Sequence, residues 1–446
     1  MSFYQSMVRR LFFFICTIAV LLTACSDNDS FSTDSSHRLT FSKDTVRMDT
    51  LFSLVPSTTY SLWAYNNSGD GVRIRTVRLE RGNQSGFRVN VDGTFLNPVA
   101  TDFEVRKGDS IRVFIELTSH ENQQETPQLV DDNLVFTLES GVEQKINLRA
   151  YSWDATKVTN KEVAADEVIE SSKPLVVYGK GITVKEGATL TIKNTKLYFH
   201  DGAGIDVEKG AKLVVENVLL RGDRLDHMFD YLPYDRVSGQ WRGVKVAAQA
   251  KGVEMTNCEL RSAYTALWCD STSVTLAQTI IHNNKGYGVY AHDSEVTLTD
   301  CLISNTLDDC LNLQGCKAVV DATTLAQFYP YSAARGAALR FAKTKQNLSL
   351  LCSNTIVTGY DDDVVFGEGF DGETVVLAFQ NCLLRTDKVD DEEAFTDVIW
   401  EKKTDDVQGV KHFVKVDDVN FIYDFNLKED SPLKEKEMGW EGLYRY

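Results

Sequence analysis

The sequence is short of positive charge, of long apolar runs and of every compact catalytic signature. Forty-seven Lys and Arg face 64 Asp and Glu, a formal net charge of −17. That balance argues against a nucleic-acid partner and against docking on anionic lipid. The apolar run at residues 11–22 falls short of the roughly 20 residues that a membrane-spanning helix needs. The seven His form no H-x-H or H-E-x-x-H pair. No Ser-His-Asp or Cys-His arrangement can be defended, and no phosphate-binding loop is present. Of nine cysteines, Cys16 and Cys25 belong to the leader and its end. The other seven are Cys258, Cys269, Cys301, Cys310, Cys316, Cys352 and Cys382. An odd number excludes a full disulfide framework, and packing as small apolar residues is the plainer use for them.

What the chain has is periodicity. Seven apolar blocks recur: Gly181-Ile182-Thr183-Val184, Gly204-Ile205-Asp206-Val207, Gly243-Val244-Lys245-Val246, Ala266-Leu267-Trp268-Cys269, Gly288-Val289-Tyr290-Ala291, Cys310-Leu311-Asn312-Leu313 and Ala338-Leu339-Arg340-Phe341. Most steps are 22 or 23 residues, and the step from 204 to 243 holds one repeat plus an insertion. Repeats of this length, alternating apolar and turn residues, predict a β-solenoid. A second set keeps the same step, beginning at Asn194, Asn217, Asn257, Gln278, Asp300, Asn354 and Asn381. There an amide or carboxylate precedes a small Thr, Val or Cys, with an apolar residue next but one. In stacked coils such positions lie about 4.8 Å apart, so amides can bond along the stack while the small residues pack inward.

Residues 38–150 share no repeat with this region. Alternating stretches beginning at Thr45, Tyr60, Val72, Phe87, Ser110, Asn133 and Gln144 predict seven strands of an immunoglobulin-like β-sandwich without an inter-sheet disulfide. Residues 151–173 are polar, show no clear strand, and read as linker and N-terminal cap. Coils are expected over 174–385. Residues 386–446 are expected to fold back as a C-terminal cap, because solenoid ends expose sheet edges and apolar interior. The fold class is all-β.

The N-terminus carries its own signal. Arg9-Arg10, the apolar run and Leu22-Thr23-Ala24-Cys25 read as a signal peptide over 1–24. The last four residues resemble a bacterial lipobox, which implies a lipid on Cys25 and a membrane partner through that anchor. Ser26-Asp27-Asn28-Asp29 resembles the export tag of Bacteroidota lipoproteins, implying the outer membrane and the cell surface. Residues 25–37 suit a flexible tether. Further along stand Lys173-Pro174-Leu175-Val176-Val177-Tyr178-Gly179, Leu197-Tyr198-Phe199-His200-Asp201-Gly202-Ala203-Gly204, Gly222-Asp223-Arg224-Leu225 and Gly239-Gln240-Trp241-Arg242-Gly243. With residues 425–432 they resemble a family of Bacteroidota surface lipoproteins with a right-handed parallel β-helix. The resemblance implies a pectate-lyase-like fold with end caps and no established activity. Fold alone does not choose among lyases, hydrolases and adhesins.

Three places could carry chemistry. The insertion between Arg221 and Trp241 combines Asp223, Arg224, Tyr231 and Tyr234. Together with Trp241 these are candidate glycan contacts, rings for sugar faces and charges for hydroxyls, although such aromatics also glue loops to scaffolds. Asp308-Asp309 resembles the paired aspartates of polygalacturonases, but the other motifs of that family are missing, so a solvated turn is the plainer reading. Asp361-Asp362-Asp363 could hold Ca²⁺, with a solvated turn again the plainer reading and no cofactor otherwise implied. The leading functional expectation is a non-catalytic surface lipoprotein that binds extracellular glycan or another macromolecule. A polysaccharide lyase or glycoside hydrolase is the first alternative, and a structural spacer or adhesin the second.

Overall fold

The computed structural model describes residues 30–226, 233–368, 375–402 and 409–442. The signal peptide, Cys25 and Tyr231 lie outside them. The chain divides into two compact units.

The first unit is a β-sandwich of two five-stranded sheets. One pairs Thr40–Phe41, Tyr60–Tyr65, Ser110–Leu117, Phe87–Val91 and Thr94–Phe95 antiparallel, in that order. The other includes Gln128–Leu138, Val72–Leu79 and Val99–Val105, again antiparallel. Alternate residues turn inward, as in Ile111, Val113, Ile115 and Leu117. Each such burial stabilises by roughly 1.5–3 kcal/mol. All seven expected strands are present, with three more. Val99–Val105 escapes a period-two reading because Asp102, at φ +62°, interrupts the alternation, so that Ala100, Phe103 and Val105 are the buried residues. The expected tether is docked from Ser30 onward: Phe31 bridges to Gly71 beneath Arg73, and Ser30 bonds Asp70 at 2.8 Å.

The second unit is a parallel β-helix with three strands per coil, hence three faces. The apolar blocks stack in the expected register: Gly181 on Gly204, then Val244 on Leu267, Val289, Leu311 and Leu339. Their inward side chains form one continuous core. Gly243 opens its block at φ +96°, and a Cβ there would meet the Thr265 carbonyl oxygen at 1.7 Å, so only glycine fits at this place.

The amide ladder turns the corner between the second and third faces. Asn194, Asn217, Asn257, Gln278, Asp300, Asn354 and Asn381 all have φ between +49° and +56°, a region that Asn tolerates better than most residues. Asn217 donates to Asn194 at 3.1 Å, and Asn381 to Asn354 at 2.8 Å. In the coil with Ala322 at this corner, Asp321 accepts from Asn354 instead, at 2.9 Å. The next residue points inward and donates to the carbonyl two back, as Thr279 does to Ala277 at 2.9 Å and Cys258 to Thr256 at 3.3 Å. All seven described cysteines are free and buried. Burial pushes the Cys258 thiol to about 11 and the Cys301 thiol to about 12, which suits packing and not reactivity.

Both ends differ from expectation. Residues 151–173 are not strandless: Thr156–Val163 and Glu167–Glu170 pair parallel with the next coil. Their charged side chains blunt an edge that would otherwise template association, which is why they carry so little apolar signal. Coils also continue past 385, through Phe395–Thr396 and Ile399–Trp400. The described residues from 409 onward do not cap the end. Their hairpin, Phe413–Asp417 with Ile422–Leu427, and the turn Pro432–Glu435 lie along the third face. There Phe413, Phe425, Leu433, Met438 and Trp440 cover Leu302, Ala326, Ile356 and Leu383.

Candidate functional site

On the first face the third residue of each block points outward. The column runs Thr183, Asp206, Lys245, Trp268, Tyr290, Asn312, Arg340 and Phe366. Trp268 and Tyr290 stack at 4.0 Å and 19°. Tyr287 closes on both rings, 6.4 Å from Trp268 and 5.1 Å from Tyr290. Trp268 is 37% exposed, and Tyr264, in the loop leading to its strand, is 57% exposed.

Polar groups stand among these rings. The Asp270 carboxylate takes His292 Nδ1 at 3.0 Å, a contact that lowers its pKa. Asp308 projects toward solvent, and its partial burial, then the charge of Asp309, raise its carboxyl. The Tyr287 phenol is raised by burial first and then by both acids. Asp309 is buried and engaged: Oδ1 accepts the Ala337 amide at 2.7 Å, and Oδ2 accepts Asn312 at 2.6 Å and Arg340 at 3.0 Å. Arg340 also pairs with Glu368 at 2.7 Å. The two adjacent aspartates therefore do different things. One braces the coil from inside, and the other faces water beside the aromatic cluster.

The described parts of the insertion are clamped to their surroundings. Arg224 lies 4.0 Å from the centre of the Tyr234 ring and pairs with Asp226 at 2.7 Å. Asp223 takes His200 Nδ1 at 2.7 Å, and burial raises its carboxyl despite that bond. Arg236 donates to the carbonyls of Asn420 and Phe421, while Asn283 and Tyr331 donate to its own carbonyl. Trp241 needs correcting as a ligand contact. It is 1% exposed, stacks on Phe199 at 4.3 Å and 10°, and donates to the Arg261 carbonyl at 2.9 Å. The insertion has already re-entered the coil at that residue, so its ring belongs to the core.

The three aspartates at 361–363 are drawn to different partners. Asp361 pairs with Arg335 at 3.6 Å, and Asp363 accepts the Val365 amide at 3.2 Å. Among the described residues no three His, Cys, Asp or Glu side chains gather where a metal could sit.

Sequence reasoning missed Trp268 and Tyr290 as a pair, although the signal was in plain view as the third place of each apolar block, and Tyr287, which precedes its block, carried no such signal.

No curated protein matches this chain. Among solved structures, the catalytic unit of a thermostable family 87 α-1,3-glucanase from Streptomyces thermodiastaticus is similar at 11% identity, over 77% of this chain and 90% of that one, with a TM-score of 0.23. The Dettilon tailspike protein is similar at 8% identity, over 56% of this chain and 62% of that one, with a TM-score of 0.22. A family 123 glycoside hydrolase from Clostridium perfringens is similar at 10% identity, over 28% and 26%, with a TM-score of 0.20. The chain thus spans less than two thirds of the last two. Residues 160–324 match the family model described as a right handed beta helix region. The three-faced parallel coil and that match agree, and this part of the chain is a right-handed parallel β-helix.

Proposed function

We propose that the chain is a surface-anchored outer-membrane lipoprotein whose first face binds an extended, neutral extracellular glycan without cleaving it. The observation that carries this reading is the Trp268–Tyr290–Tyr287 cluster standing among Asp270 and Asp308. Aromatic rings suit the C–H faces of sugars, while carboxylates take hydroxyls. Coils repeat at about 4.8 Å, close to the rise of one residue in an extended glycan, so a polymer along the axis meets equivalent places in succession. A neutral polymer fits better than a polyanion, because the chain is net −17 and acids stand in the strip itself. Binding is favoured over hydrolysis because cleavage by paired carboxylates needs two acids free to flank the bond, and Asp309 has both oxygens engaged. The anchor rests on the lipobox resemblance at Cys25.

Affinity electrophoresis against neutral and acidic polysaccharides tests the reading. At least one neutral polymer should retard the protein, and Trp268→Ala with Tyr290→Ala should abolish the retardation at an unchanged melting temperature. Free migration in every neutral gel, or undiminished retardation of the double variant, would sink it. Release of reducing ends from the same polymers would replace binding with hydrolysis. Cys25→Ala should move the protein from the membrane to the soluble fraction, and full membrane retention would contradict the anchor.

A further inference from the structure

A chemically different hollow of about 200 Å³ lies on the third face, beneath the C-terminal hairpin. Glu259, Arg261, His282 and Asn305 line its floor, Tyr331 and Phe421 its wall, and the partly exposed Arg236 and Ile422 its edge. The floor follows from the coil register. Arg261 and His282 occupy the same outward column in successive coils, and Asn305 follows the next member, Ser304. Asn283 and Asn305 sit at φ +56° and +51°, where the chain swings out of the third face.

Three residues that line this hollow each keep a buried polar atom without a hydrogen-bonding partner among the described residues: Glu259 Oε2, Asn305 Oδ1 and Arg261 Nε. Glu259 is 4% exposed and Asn305 is 3% exposed. Burial pushes the Glu259 carboxyl up, but the 2.8 Å bond from His282 and the charges of His282, Arg261 and Arg221 hold it below its ordinary value. Glu259 is therefore a carboxylate with one oxygen engaged and one bare. Each buried polar atom left unsatisfied costs about 1–3 kcal/mol, so three at one hollow call for an occupant.

The free groups select its chemistry. Two bare acceptors and one bare donor call for a group that both donates and accepts, which is the hydroxyl. An anion would satisfy Arg261 but face Glu259 Oε2 and Asn305 Oδ1. A cation would face the guanidiniums of Arg236 and Arg261. Water would satisfy the floor, and at ~30 Å³ per molecule about six or seven would fit. The wall is not made for water, since Tyr331 and Phe421 stack at 5.1 Å and 22°, with Ile280 and Ile422 beside them. Polar floor and aromatic wall together match one sugar ring, hydroxyl edge down and C–H face against the rings. We propose that this hollow binds a single neutral sugar or polyol, held by Glu259, Asn305 and Arg261 against the Tyr331–Phe421 pair. The proposal stands independently of glycan binding on the first face.

The test is titration of the full chain with glucose, galactose, xylose, N-acetylglucosamine and myo-inositol, followed by saturation-transfer NMR and calorimetry. One of these should bind saturably at one equivalent, with an affinity little changed between low and high salt. Asn305→Leu should weaken it by about tenfold or more. Ile422→Trp, which narrows the edge without disturbing a buried charge, should weaken it similarly and decides the matter if Asn305→Leu fails to fold. Trp268→Ala with Tyr290→Ala should leave it intact, which separates this site from the first face. The proposal is overturned by no saturable binding across the panel, by undiminished binding in Ile422→Trp, or by a preference for phosphate or glucuronate that collapses with salt.

Discussion

The first and third faces of the solenoid share one interior and differ in what stands outside. On the first face, Lys245, Trp268, Tyr290 and Arg340 point outward with solvent beyond them, while Asn312 in the same column is buried beneath its neighbours. On the third face, Ile280, Leu302, Ile356 and Leu383 point outward, and the C-terminal segment covers them. A coil needs only its inward residues to stack. Its outward residues record what each face is for. An apolar outward column requires a cover, and a polar and aromatic one left bare is available to a ligand.

That contrast breaks most visibly at the cover. Phe425 is 1% exposed, stacks on Phe328 at 5.8 Å and meets Phe413 edge-on at 5.1 Å. Phe425→Ala should cost about 3–5 kcal/mol and open residues 409–442 to limited proteolysis before the coils melt. Trp268→Ala on the bare face should cost far less. Equal losses at the two sites in urea denaturation would mean that the faces are not different in kind.

The corner ladder recurs in most coils and ranks next. Asn257 holds φ +54° and donates to Asn217 at 2.5 Å. Asn257→Ala should lose about 2 kcal/mol, roughly half from the left-handed backbone and half from the bond. Asn257→Gly should recover the backbone part, and if the two variants prove equally stable the ladder's geometry is not what holds the corner.

Much of this was legible in the sequence, and the residues say why. The blocks at 181 to 338 and the amide ladder announce themselves because stacking demands equivalent residues at equivalent places. The cover was not read, since the C-terminal segment was expected to cap the end, although the doublets Ile280-Ile281, Leu302-Ile303, Ile356-Val357 and Leu383-Leu384 carry its signal. Two apolar neighbours on one strand point to opposite faces, so both faces must be buried. The first coil was not legible, because Thr156–Val163 is an edge strand whose charges hide its period. Trp241 misled for a different reason: an aromatic residue at the end of an aromatic loop looks like a contact until the coil is seen to claim it. The hollow on the third face depends on Phe421 and Tyr331 meeting Glu259 across long sequence separations, which no local pattern carries.

Acid separates the faces by charge. Burial, reinforced by Arg261 and Arg221, holds the His282 imidazole below its ordinary 6.5 in spite of Glu259. The unfolded chain therefore takes up that proton first, and stability falls as pH drops below 6.5. Glu259, held below its ordinary 4.5, contributes stability that is present above 4.5 and lost as pH falls through its folded value. Both act in the same direction. Stability measured in urea should decline from neutral pH downward, and His282→Gln, which keeps a donor for Glu259, should flatten the upper part of that decline. An unchanged profile would place the acid sensitivity elsewhere.

The smallest effect is the most informative about the bare face. Trp268 and Tyr290 stack closely enough to be coupled, yet neither is needed to close a coil, because the inward neighbours Leu267, Cys269, Val289 and Ala291 carry that burden. A double-mutant cycle with alanine at both positions should return a coupling of about 0.5–1.5 kcal/mol, the range for stacked aromatic pairs. If the rings serve mainly to brace adjacent coils, the coupling will sit at or above the top of that range and each single variant will melt earlier. If they serve a ligand, the coupling stays small without glycan and grows in its presence, because a bound sugar face is shared between the two rings. The same cycle measured with and without polysaccharide therefore distinguishes a brace from a platform, something that neither variant alone can do.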